Sequence, residues 1–237
     1  LLTEIEVTTA SGTAVYTLPL GIAWEGAPAG AFASNLAMAR VRRGRSVGLL
    51  TDGFATASFA HSILTGLRDD VSISLEDGEI RFEKNEGFDL APDAEPEWIA
   101  AEQSNSTLIV GRSAVLKLLR KIQPGIHPDL EMVRYLAGNG FANVPPILGS
   151  VTHFTADGPV LLMLVQRFVL NQGDGWQWTL GALERMANDT EWSFSNYRHF
   201  ATNLGQRLAE MHRVLALNSG DPAFAPEIMD AEETGRL

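Results

Sequence analysis

Apolar and polar positions alternate with period two through much of the first hundred residues, the signature of half-buried strands. Glu4-Ile-Glu-Val-Thr-Thr9 and Thr13-Ala-Val-Tyr-Thr-Leu-Pro-Leu20 flank Ala10-Ser-Gly12 and predict a hairpin. A second is predicted where Met38-Ala-Arg-Val and Val47-Gly-Leu-Leu flank Arg43-Gly-Arg45. The strongest hairpin signal follows, with Val71, Ile73 and Leu75 alternating into Glu76-Asp-Gly78 and then Ile80 and Phe82. Between these strands the period changes. Ala55, Phe59, Ile63 and Leu67 repeat every four residues and predict a helix capped by Thr51 or Asp52. Residues 84–96, acidic and holding two prolines, read as a linker.

Beyond the linker the pattern is β-β-α-β-β. Strands are predicted at Ser106–Val110 and Ala114–Leu119 around Gly111-Arg-Ser113, a helix at Pro128–Leu136, and strands at Val144–Leu148 and Val160–Val169. After Gly173-Asp-Gly175 the chain turns mostly helical, clearest in the stripe Tyr197, Phe200, Leu204, Leu208, Met211 and Leu215. The fold class expected is therefore α+β, divided at 1–88, 89–170 and 171–237.

Composition excludes several roles. In 237 residues there is no cysteine, hence no disulfide, thiolate nucleophile or Cys-based zinc site, and the composition suits a reducing cytoplasm. The longest apolar run, Pro159 to Val165, falls well short of the roughly 20 residues of a membrane-spanning helix. A net charge of −11 disfavours nucleic acid and anionic lipid. The charge is uneven, however: residues 103–121 hold Arg112, Lys117, Arg120 and Lys121 and no acid, a basic island sized for a small phosphorylated ligand. The arginines at 40, 42, 43 and 45 read first as charge guarding a strand edge and second as an anion site.

Candidate chemistry gathers around that island. Ser104, Asn105, Ser106 and Thr107 are short and polar, the kind of residues that form tight turns and leave backbone N–H groups free for phosphate oxygens. Lys117 sits among Val115, Leu116, Leu118 and Leu119, and on a strand its ammonium points away from Leu116 and Leu118. Such a cation needs an anionic partner. Glu131, on the predicted helix, can be that partner or simply an acid favoured at a helix N-terminus. Gln166 to Val169, including Phe168, ends an apolar strand where a connector to the helical part should begin. None of the five histidines has partners at metal or triad spacing: His61 reads as a surface or packing residue, His212 as a structural one, and His127, His153 and His199 as incidental.

With these residues in place the chain resembles the maltokinases, ATP-dependent kinases that phosphorylate maltose at its anomeric hydroxyl. The resemblance is carried by Glu102-Gln-Ser-Asn-Ser-Thr107, Leu116-Lys-Leu-Leu-Arg-Lys121, Pro124-Gly-Ile-His-Pro-Asp-Leu-Glu131, Phe141-Ala-Asn-Val-Pro-Pro-Ile-Leu-Gly149 and Asp174-Gly-Trp176. Leu208-Ala-Glu-Met-His212 and Asp221-Pro-Ala-Phe-Ala-Pro-Glu227 extend it, so that it spans residues 98–227, and the first hundred residues more weakly resemble that family's N-terminal cap.

The resemblance implies a bilobal, protein-kinase-like fold of the aminoglycoside phosphotransferase type: an α+β cap, an ATP-binding lobe and the first helices of a second lobe. It implies ATP and Mg2+ as cofactors, maltose as substrate and, because some members are fused to one, a trehalose synthase as partner. By carry-over, Ser104, Asn105, Ser106 and Thr107 line the phosphates, Lys117 contacts them, Glu131 positions Lys117, and Gln166, Phe168 and Val169 frame adenine. The family's catalytic loop pairs an aspartate base with a metal ligand five residues on. Asp221 is followed at that distance by Pro226, so the catalytic aspartate and the metal ligands are expected beyond Leu237, and this stretch alone is expected to bind nucleotide weakly and turn nothing over. The alternatives are a noncatalytic kinase-like appendage of a trehalose synthase, or another small-molecule kinase.

Overall fold

A computed structural model describes residues 1–26, 31–99, 105–171, 173–188, 195–226 and 235. The chain forms two compact units: Leu1–Glu131 with Pro145–Val169, and Met132–Val144 with Leu170–Leu237.

The first unit holds two antiparallel sheets. In one, β1 (Leu2–Thr9) and β2 (Gly12–Trp24) form the hairpin expected around Ala10-Ser11. After a short helix α1 (Ala31–Asn35), β3 (Ala37–Arg43) and β4 (Ser46–Asp52) complete the order β1-β2-β4-β3. Asp52 does cap, but it caps a 3-10 turn, Gly53–Ala55: its carboxylate accepts from the Phe54 N–H at 3.0 Å. The helix α2 (Ala57–Arg68) begins only afterwards and buries Ala60, Ile63, Leu64, Gly66 and Leu67, a wider stripe than the four-residue repeat predicted.

The second sheet has seven strands. After α2 come β5 (Ser72–Leu75), β6 (Gly78–Lys84) and a short edge strand β7 (Pro96–Trp98), with Pro96 at its first position where a missing N–H is tolerated. Next are β8 (Ser106–Val110) and β9 (Ala114–Leu118), then β10 (Lys121–Ile122), which leaves this sheet and pairs with β2 of the other. The helix α3 (Pro128–Gly138) precedes β11 (Ile147–Thr155) and β12 (Gly158–Arg167). The sheet order is β5-β6-β11-β12-β9-β8-β7, so it draws strands from both sides of residue 88.

β11 and β12 are central and buried on both faces, so β12 reads as a nearly unbroken apolar run, whereas β11 buries Ser150, Thr152 and His153 among its apolar residues and shows no period of two. β11 shares only Ile147 and Leu148 with the strand predicted at Val144–Leu148 and runs on to Thr155, while β12 begins two residues before the predicted Val160 and leaves Phe168 and Val169 outside. α2 lies close against one face: a Cβ on Gly66 would sit 2.6 Å from the Phe82 ring, and one on Gly149 would meet Leu67 at 3.1 Å. The segment expected as a linker is irregular but pinned. The Asn85 N–H donates to the Leu148 carbonyl at 2.8 Å, Arg167 donates to the Gly87 carbonyl at 3.1 Å, and Leu90 is buried.

The second unit is helical, with α4 (Gly175–Asn188) and α5 (Ser195–Leu215). Asp174 caps α4, its carboxylate accepting from the Gln177 N–H at 2.8 Å. Trp178 lies 4.4 Å from Phe200 and 5.7 Å from Tyr197, and Tyr135 stacks on Phe224 at 3.7 Å. The predicted α5 stripe is half-buried towards both ends and exposed at Leu204 and Leu208. Among the described residues no helix is long and apolar enough to cross a membrane.

Candidate functional site

The β8–β9 hairpin turns through Gly111 and Arg112, both at positive φ (54° and 53°), a twist that matches the right-handed twist of the strands. The turn fixes the register. Thr107 lies opposite Lys117, and Lys117 lies opposite Leu164 of β12. Directly paired residues share a face of an antiparallel sheet, so Thr107, Lys117 and Leu164 form one row, with Ile109, Val115 and Gln166 beside it on the same face. Ala114, Leu116 and Leu118 point the other way and are fully buried. The lysine thus projects as period-two reasoning requires. It is half-buried and, among the described residues, no ion pair or hydrogen bond engages its ammonium. Long cations are rarely withdrawn from water without a partner.

The other expected residues distribute unevenly. Ser104 lies outside the described residues. Asn105 is half-buried in the bend leading into β8. Ser106 departs from the expected role: it pairs with Leu118 on the face opposite Lys117, and its hydroxyl accepts from the Arg120 Nε at 2.7 Å. One residue of register separates the two faces, and of Ser106 and Thr107 it is Thr107 that falls on the side of the lysine. Glu131 forms no ion pair with Lys117. It sits in the first turn of α3 with Asp129, where the helix dipole favours a carboxylate. His127, read as incidental, caps that helix: its Nδ1 accepts from the Asp129 N–H at 3.2 Å.

Gln166 is buried in the sheet between Val115 and Ile147. The Phe168 N–H, a group that could have met adenine, is donated to the Ser113 carbonyl at 2.8 Å, and the Arg167 N–H to the Pro146 carbonyl at 2.9 Å. Val169, 57% exposed, follows them at the unit's edge. Of the basic island, Arg120 is not free for a ligand: its guanidinium pairs with Asp52 at 2.5 Å. No local spacing links residues 68 positions apart; the only hint is an arginine ending an apolar strand, which must find a carboxylate somewhere.

A cavity of about 650 Å³ lies on the α2 side of the sheet, lined by Leu2, Ile22, Phe59, Ile63, Phe82 and Met163 among others. Its lining is apolar and it lies across the sheet from Lys117. Asp221 is spent locally, its carboxylate accepting from the Ala223 N–H at 3.0 Å. Among the described residues no three His, Cys, Asp or Glu side chains come together as a metal site.

No family model matches the chain. Among curated proteins it is 33% identical over 130 residues to a glucosamine kinase of Mycolicibacterium smegmatis, covering 54% of this chain and 32% of that protein. It is 31% identical over 134 residues to a glucosamine kinase of Streptacidiphilus jiangxiensis, covering 55% of this chain and 30% of that protein. Among solved structures, a glucosamine kinase in complex with glucosamine, ADP and inorganic phosphate aligns over 91% of this chain and 44% of its own, with a TM-score of 0.53 and 25% identity. Glucosamine kinase in crystal form A aligns over 91% of this chain and 42% of its own, with a TM-score of 0.54 and 24% identity. The fold is therefore the mixed α and β arrangement seen in these kinases, and the chain spans about a third of the length of the curated relatives it matches.

Proposed function

We propose that this chain is the nucleotide-holding part of an ATP-dependent sugar kinase. The observation that carries the reading is Lys117: a half-buried ammonium with no anionic partner among the described residues, opposite Thr107 on one sheet face of a fold shared with a kinase solved with ADP. In this reading Lys117 holds phosphate oxygens by charge, a compact and strongly hydrated cation being suited to that role. Thr107 and Asn105 flank the phosphates, and Val169 marks the adenine end. Ser106 is reassigned from phosphate ligand to support of the hairpin. Glu131 would reach the lysine only after a rearrangement of one or the other, so no part is given to it in the resting chain. No chemical step is assigned, because Asp221 is committed to its own turn.

For the sugar, the two curated relatives described above are named glucosamine kinases, which supports an amino sugar as acceptor. Maltose is the second reading, favoured by the motifs between Glu102 and Glu227, and with it the trehalose synthase association. Calorimetric titration of ADP into the chain tests the nucleotide reading: binding is expected, and at least a tenfold loss, about 1.4 kcal/mol, is expected for Lys117→Ala. A flat titration of the unaltered chain overturns it. Glucosamine and maltose, offered with ATP to the protein that contains this chain, separate the two acceptors by which one yields a sugar phosphate.

A further inference from the structure

The row that carries Thr107 and Lys117 is bracketed by two rows, and each bracketing row is tied to the same short turn of the other sheet. On one side is Ser106, whose hydroxyl accepts from the Arg120 Nε at 2.7 Å. The same guanidinium donates through Nη2 to the Asp52 carboxylate at 2.5 Å, through Nη1 to the Thr17 carbonyl at 3.4 Å, and lies 5.5 Å from the centre of the Phe54 ring. On the other side is Leu108, whose partner across the β7–β8 ladder is Trp98. The Trp98 indole donates to the Phe54 carbonyl at 2.8 Å.

The backbone makes the same connection. Three residues after Lys117, the Arg120 carbonyl accepts from the Thr17 N–H at 2.7 Å, and the chain continues as β10 beside β2. The strand that bears the lysine thus runs directly into the N-terminal sheet. Both charges of the clasp are largely withdrawn from water, Arg120 at 21% and Asp52 at 11% side-chain exposure, so neither can release the other without leaving an unpaired charge.

We infer that Arg120 and Trp98 are positioning residues that hold the mouth of the β8–β9 hairpin against the Asp52–Phe54 turn, and that nucleotide affinity at Lys117 depends on this clasp. The inference rests on the nucleotide reading for its second half only. A planar guanidinium is the side chain that can serve three acceptors in different directions at once; a lysine at 120 could keep the pair with Asp52 but not also span Ser106 and Thr17. The N-terminal sheet thereby becomes a part of the phosphate site that touches no phosphate.

Asp52→Asn tests this. It preserves volume and the acceptor that caps Phe54 and removes the charge that Arg120 answers. Three readouts are taken on the 237-residue chain: ADP affinity by calorimetry, amide hydrogen exchange residue by residue, and the urea midpoint. The expected result is at least a fivefold weaker ADP affinity, with exchange accelerated at Thr107 and Lys117 and unchanged in β11 and β12. Arg120→Lys should behave as Asp52→Asn, and Trp98→Phe should give a smaller change of the same pattern. Wild-type affinity in Asp52→Asn, or acceleration spread evenly over the seven-stranded sheet, overturns the inference in favour of a merely structural contact. If the unaltered chain binds no ADP, the nucleotide reading fails by itself. Exchange at Thr107 and Lys117 in Asp52→Asn then still decides whether the turn positions the hairpin.

Discussion

Replacing Lys117 with methionine separates a ligand-binding cation from a structural one. Methionine keeps a flexible apolar stem of similar length, so the neighbours Thr107 and Leu164 lose little packing while the charge disappears. Among the described residues no anion meets this half-buried ammonium, which makes its burial a cost of folding. Its removal should leave stability unchanged or raise it by up to about 1 kcal/mol, the modest end of polar burial because the head group keeps part of its hydration. Binding should respond in the opposite direction. Two unit charges about 4 Å apart at an effective dielectric near 20 attract by about 4 kcal/mol, an upper bound in a half-open site. A hydrogen bond to a charged group is worth about 1.5–3 kcal/mol, which sets the expected loss of ADP affinity at roughly ten- to hundredfold. Urea titration followed by circular dichroism gives the first quantity and calorimetry the second. A variant that loses more than about 1 kcal/mol of stability while binding ADP normally would show that Lys117 has a structural partner and refute the reasoning.

Other consequences concern the scaffold. Gly78→Ala places a Cβ 2.0 Å from the Phe154 carbonyl oxygen at a backbone φ of 152°, and should lower the urea midpoint by the equivalent of about 3 kcal/mol or more, if the chain folds at all. Leu116→Ala, at a fully buried position of β9, should cost about 2–5 kcal/mol by the same assay, with a cavity under the Lys117 strand. The Asp70 carboxylate lies below the ordinary aspartate value of 3.8 because the Lys84 side chain and then its backbone N–H donate to it. A folded value below the unfolded one means that its contribution to stability is complete above the ordinary aspartate range and is lost as pH falls through the lower folded value. Carboxyl NMR titration should show Asp70 moving back up in Lys84→Ala, part of the shift remaining from the backbone bond.

What could be read beforehand follows the range of the interactions. The hairpins at 9–12, 43–46, 75–78 and 111–113 are local, and each turn residue stands where the sequence places it. The side of the sheet that Lys117 occupies also follows from alternation alone. The edges of β11 and β12 do not, since burial on both faces erases the period. The reassignment of Ser106 depends on pairing with Arg120, and that of Arg120 on Asp52, 68 positions earlier in the chain. A motif of short polar residues shows that a turn is polar without showing which of its side chains meets a ligand and which holds the turn in place.

The same distinction explains why the motifs pointed to one sugar and the relatives point to another. Several of the residues that carry the maltokinase resemblance turn out to build the scaffold. His127 caps α3, Asp174 caps α4, Asp221 caps its own 3-10 turn, and Gly149 lets Leu67 and the Glu83 carbonyl approach the sheet. None of these roles depends on the acceptor. Lys117 and Thr107 would face phosphate, which every ATP-dependent kinase presents alike. A pattern made of helix caps, close-packing glycines and phosphate contacts is expected in kinases for many sugars, and its physical content ends at the nucleotide. Selectivity between glucosamine and maltose requires groups that meet the sugar hydroxyls or its amine, because an unmatched polar group in a dry pocket is what discriminates strongly between similar substrates. Exchanging His127, Gly149, Asp174 and Asp221 for their counterparts between a glucosamine kinase and a maltokinase should therefore alter stability while leaving the preferred sugar unchanged.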